Sequence, residues 1–318
     1  MRHFLDFEKP VAELEAKIEE LRRMTDPGEL NIAQEVSQLS DKAERQLRNL
    51  YGKLTPWQKT QVARHPERPK AKDMIAGLIT EFTPLAGDRA FAEDAAIIAG
   101  PGRFQGEPVM VIAIEKGSDL DSRLKHNFGS PRPEGYRKAR RMIELAGRFG
   151  LPILSFVDTS GAYPGIDAEA RGQAEAIARG IDACLAAPVP FIATIIGEGG
   201  SGGAIAIAAA DVVLMYEHAI YSVISPEGCA AILWEDRAMA PQAAEAMKVT
   251  AQDLKRLGII DRIVPEPLGG AHRAPDAAVA QLGEAIATAL APLKTMAPEA
   301  LRAKRREKFL AMGQSAVV

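Results

Sequence analysis

Cysteine is scarce in this chain. It has two in 318 residues, Cys184 and Cys229, far apart and without CxxC spacing. That spacing excludes a zinc site built on cysteines and shows no disulfide framework, so both are expected as buried thiols in a reducing cytoplasm. Histidine is scarce too: His3, His65, His126, His218 and His272 are all there are. An excess of positive charge is missing. Lys and Arg number 39 against 42 Asp and Glu, for a net charge of -3, which gives no electrostatic case for nucleic acid. No apolar run reaches the length of a membrane span, and the longest is cut by Asp211. The opening MRHFLDFEKP holds no apolar segment of the secretory kind. What is present is ordinary for a soluble globular protein: 47% hydrophobic and 25% charged residues, in a length that suits one large domain or one domain with an appendage.

The first part reads as helices. Val11, Leu14, Ile18 and Leu21 recur at steps of three and four, as do Ile32, Val36, Leu39, Ala43, Leu47 and Leu50. TDPG (25–28) separates the two with turn chemistry. Thr55 and Pro56 offer an N-cap and a first helical position for a short third helix. HPERPKAKD then breaks the pattern near residue 70. Such narrow stripes cannot bury themselves and must pack on the main domain or on another subunit.

Beyond about residue 75, near-continuous apolar runs alternate with helical patterns. PVMVIAIEKG, LPILSFVDTSGAYPG and VPFIATIIGEGG read as buried strands, and DVVLMYEHAIYSVI as two shorter ones. Between them, one helix places Ala139, Met142, Ile143, Ala146 and Phe149 on one face. A second aligns Ala170, Ala174, Ile177, Ala178 and Ile181. GGAIAIAAA reads as a short apolar helix. This rhythm predicts a parallel sheet covered on both faces, with the site in the loops EKGSDL, DTSGAYPG and GEGGSGGA at the strands' carboxyl ends.

The last of those loops carries four glycines in five positions, Gly199, Gly200, Gly202 and Gly203 around Ser201. Three chemistries strip side chains in this way. GEGGSG fits the dinucleotide pattern G-x-G-x-x-G formally, but it follows a late strand, and Asp211 comes too early for a ribose acid. GGSGG contains G-x-S-x-G, yet a serine nucleophile needs a histidine. Only His272 fits the order, with Asp236 or Asp261 as the arguable acid. The third chemistry is an oxyanion hole of backbone N–H groups at a helix start, in a low-dielectric setting. A plain packing turn is the bland alternative.

PFIATIIGEGGSGGAIAIAAAD resembles the third core segment of the crotonase superfamily. Together with DTSGAYPG, YSVISPEGCAAILW, PEPLGGAHR and the helical start, it resembles one family, the carboxyltransferase alpha subunits of bacterial acetyl-coenzyme A carboxylase. The resemblance covers essentially the whole chain. It implies an α/β crotonase-like (ClpP/crotonase) spiral of ββα units at 71–318, with an N-terminal helical hairpin at 1–70 for subunit packing. It implies transfer of a carboxyl group from biotin on a biotin carboxyl carrier protein to acetyl-CoA, giving malonyl-CoA for fatty-acid synthesis in the cytoplasm. It implies a beta subunit in an α2β2 assembly, with biotin carboxylase as a further component. Beta would supply a zinc ribbon, the acetyl-CoA contacts and the enolate hole. This chain would supply the biotin side and no metal.

By carry-over, Gly202 and Gly203 form the hole for the ureido oxygen, with Gly199 and Gly200 next in line and Ala204 beside them. Ser160, Gly161, Ala162 and Tyr163 line the facing wall. Ser225, Pro226, Glu227 and Gly228 form another strand-end loop, where Glu227 either caps the following helix, the favoured role, or faces the site, and Glu198 is expected to hold the glycine turn. RKARR (137–141), with Lys125, His126 and Arg132, could steer an acidic carrier or CoA phosphates, but these charges and those of RAKRREK near the C-terminus are expected mostly as solvated faces. His272 and Arg273 match the family without an assigned role. The competing enzyme is a self-contained crotonase-type hydratase or isomerase, which needs a carboxylate pair that does not stand out. A non-catalytic scaffold is the third reading.

Overall fold

The computed structural model describes residues 3–24 and 30–313. The TDPG turn lies outside the described residues. Helices α1 (Lys9–Met24) and α2 (Leu30–Tyr51) pack along each other. Val11, Ile18, Ala43 and Leu47 are buried, and the rest of both stripes is half-buried. Helix α3 (Pro56–Ala63) starts where the sequence places it, with Thr55 Oγ1 accepting from Gln58 N at 3.2 Å and Pro56 first in the helix. Val11, Leu47, Tyr51 and Val62 make a small core of their own.

After α4 (Ala71–Leu78) come β1 (Ile79–Thr80), β2 (Ile97–Phe104) and β3 (Glu107–Ile114). Helices α5 (Leu120–Lys125) and α6 (Pro133–Phe149) lead to β4 (Ile153–Thr159). Helices α7 (Ile166–Ala170) and α8 (Gln173–Ala186) lead to β5 (Phe191–Gly200). Helix α9 (Ser201–Ile205) follows at once, then β6 (Val212–Tyr216) and β7 (Ile220–Ser222). Helices α10 (Pro226–Trp234), α11 (Ala240–Ala246) and α12 (Ala251–Arg256) precede β8 (Arg262–Val264), and α13 (Pro275–Leu293) and α14 (Pro298–Ala311) end the chain.

These strands form one sheet in the order β1-β2-β3-β4-β5-β6-β8, with β7 pairing the far end of β5. The sheet is mixed, which corrects the purely parallel expectation. β1, β2 and β3 pair antiparallel, and every later pair is parallel. The hairpin between β2 and β3 turns at Gln105 and Gly106, both at positive φ (51° and 83°), as a two-residue primed turn requires. β2 itself, IIAGPGRF, escaped notice because Gly-Pro-Gly reads as loop. Gly100 is small because the chain at Thr83 and Pro84 runs beside it; a Cβ there would lie 2.0 Å from the Thr83 carbonyl oxygen.

Three helices differ from the sequence reading. In α6, Ala139, Met142, Ile143 and Ala146 are buried but Phe149 is exposed, because it sits on the last turn before Gly150 ends the helix in the left-handed region. The next segment breaks at Gly172 (φ 80°) into α7 and α8. There Ala170, Ala174 and Ala178 face solvent, Ile177 and Ile181 are half-buried, and the buried line is Ala176, Gly180 and Cys184. An alanine-rich helix offers two faces of similar polarity, and Gly180 decides between them by packing on the Ala206 carbonyl. Finally, α9 is only five residues long and loosens into a turn through Ala208.

Two charged stretches expected mostly as solvated faces place some of their residues in the frame, while Arg302, Lys304, Arg306 and Glu307 are exposed as expected. Arg305 of RAKRREK is fully buried. It donates to Asp211 at 2.9 and 2.7 Å and to the carbonyls of Cys184, Ala187 and Val189. In RKARR, Arg137 pairs with Asp88 and Glu134, Lys138 is buried against Glu93 and the Asp94 carbonyl, and Arg141 donates to two carbonyls. His126 is buried as well. Its Nδ1 donates to Ala95 O and its Nε2 accepts from Lys72. Among the described residues no helix is long and apolar enough to cross a membrane.

Candidate functional site

The site forms where β3, β4 and β5 end together. Gly199 and Gly200 are the last residues of β5, in register with Tyr221 and Ser222 of β7. The chain then turns through Ser201, whose φ of 53° is unusual for a residue with a side chain. As the first residues of α9, Ser201, Gly202 and Gly203 have N–H groups without a partner inside that helix. A macrodipole needs more length than five residues, so what α9 offers is local donors.

The glycines are explained by what lies against them. A Cβ on Gly200 would meet the Ser160 carbonyl oxygen at 2.3 Å, and one on Gly203 would meet Ala162 N at 2.6 Å. The loop after β4 therefore lies backbone to backbone on the glycine turn, which brings Ser160, Gly161, Ala162, Gly200, Gly203 and Ala204 together. Gly202 has more room, since a Cβ there would meet nothing nearer than the Ile177 side chain at 3.4 Å. Tyr163 turns away. Its N–H donates to Pro131 O, its carbonyl accepts from Gln173, and the Arg132 guanidinium lies over its ring at 4.7 Å. The buried Tyr136 hydroxyl, 2.9 Å from the Gly203 Cβ position and without a hydrogen-bond partner, was not singled out from the sequence.

Two recesses flank this turn. One is a cavity of about 660 Å³ lined by Ser201, Gly202, Ile205, Tyr221, Val223 and Cys229, among others. Among the described residues, no carboxylate, histidine, lysine or arginine lines it. Cys229 is thus half-buried in a cavity wall, which corrects its reading as a buried core thiol; Cys184 is buried. The other recess, of about 230 Å³, is lined by Arg64, Lys70, Lys116, Arg123, Asp158 and Glu198, with Ser160 beside them.

The charges of the second recess are linked. Lys116 Nζ lies 2.8 Å from Asp158 Oδ1 and 2.9 Å from Glu198 Oε2. Arg64 Nε donates to Glu198 Oε1 at 2.8 Å, and its Nη1 donates to Glu227 Oε1 at 2.5 Å. Asp158 Oδ1 also accepts from Glu198 N at 2.9 Å. Burial alone would raise the Glu198 carboxyl, but the Lys116 and Arg64 charges outweigh it and hold it at about 2. Burial would lower Lys116, but Asp158 and Glu198 bring it to about 12. Lys70, buried and donating to Arg68 O at 2.9 Å, is lowered by its burial.

Glu227 is therefore an ion-pair partner, not the expected cap. Ser225 caps α10, its Oγ accepting from Gly228 N at 3.1 Å, and Pro226 is the first helical residue. Glu198 sits at the base of the glycine turn with its carboxylate in the ionic recess. Arg64, Lys116 and Asp158 were missed, because each stands singly in sequence with no pattern to mark it.

The serine-nucleophile reading loses its base, since among the described residues no histidine lines either recess. Asp236 caps a short turn at Ala238, and Asp261 holds Val213 N and Lys308. His272 instead stacks on His65 at 3.8 Å, and burial with His65, Arg68 and Arg273 nearby pushes it down to about 3. Arg273 pairs with Glu15 at 2.6 Å and Glu8 at 3.5 Å, tying GGAHR to the N-terminal helices. Glu8, His65 and His272 offer three grouped ligand atoms. Yet both His65 nitrogens are engaged, by His3 O and Glu67 N, and rings tilted by only 19° cannot both aim in plane at one ion.

The fold is shared with solved carboxyltransferases. A transcarboxylase 12S chain, with methylmalonyl-coenzyme A and methylmalonic acid bound, matches 73% of this chain and 44% of its own at TM-score 0.59 and 20% identity. A chain of a Pseudomonas malonate decarboxylase hetero-tetramer in complex with coenzyme A matches 70% of this chain and 87% of its own at TM-score 0.57 and 17% identity. The architecture is thus that of the crotonase-fold carboxyltransferases. The model of the acetyl co-enzyme A carboxylase carboxyltransferase-like family matches residues 4–313. The acetyl-coenzyme A carboxylase carboxyl transferase subunit alpha of Acidiphilium cryptum (strain JF-5) is 88% identical over 315 residues, covering 99% of each chain. Its counterpart from Gluconacetobacter diazotrophicus is 65% identical over 317 residues, covering 100% of each. The chain belongs to this carboxyltransferase family, among its alpha subunits.

Proposed function

We propose that this chain carries the biotin side of an acetyl-CoA carboxylase carboxyltransferase. It moves the carboxyl group from biotin on a carrier protein to acetyl-CoA, and it works with a beta chain in an α2β2 assembly fed by biotin carboxylase. One observation carries the reading: Ser201 and Gly202, at the start of α9, line a cavity whose lining holds no charged side chain among the described residues. In such a setting hydrogen-bond donors aimed at a developing negative charge have their greatest effect. Gly202 and Gly203 are assigned as those donors. Gly199 and Gly200 shape the turn, and Ser160 to Ala162 hold it from behind.

The cavity suits the cofactor. An apolar wall from Ile205, Tyr221 and Val223 matches a ring system that is apolar except for its ureido group. When bound, carboxybiotin supplies the carboxyl group to be transferred. The chain orients that ring, excludes water from it and offers N–H groups to its ureido oxygen. The beta chain is assigned the acyl-CoA contacts, the enolate hole and any zinc ribbon. Residues 1–70 are assigned to subunit packing, although Arg64 and Arg68 reach from them into the catalytic body. The assembly is assigned to the cytoplasm.

The test is carboxyl transfer between malonyl-CoA and free biotin, measured with this chain, with the beta chain and with both. Activity only in the mixture is expected. Hydratase or isomerase activity from this chain alone would overturn the reading. Stable binding of the two chains without turnover would favour the scaffold instead.

A further inference from the structure

We propose that Arg64 is a positioning residue that holds the two walls of the apolar cavity in register. It stands just beyond α3, outside the cavity, and touches neither the glycine turn nor the cavity lining proper. Its guanidinium spans two carboxylates: Nε to Glu198 Oε1 at 2.8 Å, Nη1 to Glu227 Oε1 at 2.5 Å and Nη2 to Glu227 Oε2 at 3.3 Å. Glu198 lies two residues before Gly200, on the strand that delivers Ser201 and Gly202 to one wall. Glu227 lies two residues before Cys229, on the helix that delivers the opposite wall. The side chains are largely shielded, at 29% exposure for Arg64, 9% for Glu198 and 33% for Glu227.

The fork is what makes this work. A guanidinium presents donors in several fixed directions, whereas an ammonium is a single point charge. Without Arg64, the Glu198 and Glu227 carboxylates face each other as like charges. Lys116 cannot replace it, because its ammonium is already shared between Asp158 and Glu198. The α10 wall is then pushed away from the glycine turn. Misplacement of reacting groups by about 1 Å costs about 100-fold in rate.

This inference rests on the function proposed above for the same cavity. Its test uses the chain assembled with its beta partner and compares Arg64→Met, Arg64→Lys, Glu227→Gln and the double variant Arg64→Met with Glu227→Gln. We expect Arg64→Met to lower kcat about 100-fold, leave the KM for malonyl-CoA within about twofold, and raise the KM for free biotin. Arg64→Lys should recover only a small part of the loss. Glu227→Gln should lower kcat about tenfold without a change in melting temperature, and the double variant should be no worse than Arg64→Met, because the two groups act as one unit.

A second readout needs no turnover. Cys184 is buried and Cys229 is half-buried in the α10 wall, so a thiol reagent reports on that wall, and Arg64→Met and Glu227→Gln should each label Cys229 severalfold faster than the parent. If Arg64→Met fails to fold, Glu227→Gln decides alone by the same two readouts. Wild-type kcat together with wild-type labelling in that variant, multiplying losses in the double variant, or full recovery by lysine would overturn the proposal. Inactivity of the parent mixture overturns the functional reading and leaves Cys229 labelling to decide the clamp.

Discussion

Near the glycine turn lie a cavity of about 660 Å³ whose lining holds no charged side chain among the described residues and a recess of about 230 Å³ lined by four cations and two carboxylates. The two linings share no residue: Glu198 of β5 belongs to the recess, and Ser201 and Gly202, which follow that strand, belong to the cavity. In the ionic recess the carboxylates are already matched, so Glu198, held at about 2, is a poor proton donor near neutral pH. Its work is to fix the turn. In the apolar cavity the side-chain hydrogen-bond donors in the lining are neutral, namely the Ser201, Ser222 and Tyr221 hydroxyls and the Cys229 thiol among the described residues. On the proposed function, strong charges thus sit one layer behind the chemistry, and the surface that would meet the ligand is neutral.

The comparison can be broken most severely at the turn itself. Gly203→Val would drive side-chain atoms into Ala162 N and the Gly161 carbonyl carbon, at 2.6 and 2.8 Å from the Cβ alone. Displacing the oxyanion donor proposed at Gly203 would cost about 10²–10³-fold in kcat, and the upper end is expected in steady-state assays of the assembled enzyme.

Next comes the ionic side. Lys116→Met leaves Asp158 and Glu198 without their shared cation, and breaking such a buried pair costs about 3–5 kcal/mol, readable by urea denaturation. Arg305→Met, which strips the buried Asp211 of its guanidinium, should lose comparable stability.

The pH dependence sharpens the contrast further. Glu198 stands at about 2 in the fold against an ordinary 4.5. Its contribution to stability is therefore present above 4.5 and is lost as pH falls toward 2. Lys116 stands at about 12 against 10.5, so its contribution is present below 10.5 and is lost as pH rises through 12. Glu198→Gln should flatten the acid limb of a stability–pH curve while leaving the apolar cavity's properties without a matching limb.

The smallest effect is expected on the apolar side. Cys229→Leu adds bulk to the cavity wall and should raise the KM for free biotin about tenfold, the scale set by one mismatched methylene or two, with the melting temperature unchanged.

The apolar side was the more legible of the two in sequence. Buried parallel strands show as unbroken runs such as PFIATII, the Thr55-Pro56 helix start is a local signal, and four glycines around one serine mark a close approach. The ionic side was nearly silent. Lys116 follows a strand just as a solvated lysine would, and Arg64 meets Glu198 and Glu227 only through the fold. The same reason hid Arg305 and Lys138, since a buried cation and a solvent-facing one look alike until their carboxylates arrive from elsewhere in the chain. β2 was missed because its glycines accommodate a neighbouring segment, and α8 was turned to the wrong face because alanines mark no side.

Ser201→Gly tests the central claim most directly. It removes the one hydroxyl of the turn, keeps every backbone N–H and suits the φ of 53° better than serine does. If backbone donors do the work, kcat for malonyl-CoA to biotin transfer in the assembled enzyme stays within about twofold of the parent. A loss of about 10³-fold or more, toward the scale of about 10⁶-fold seen when a nucleophile is removed, would contradict it.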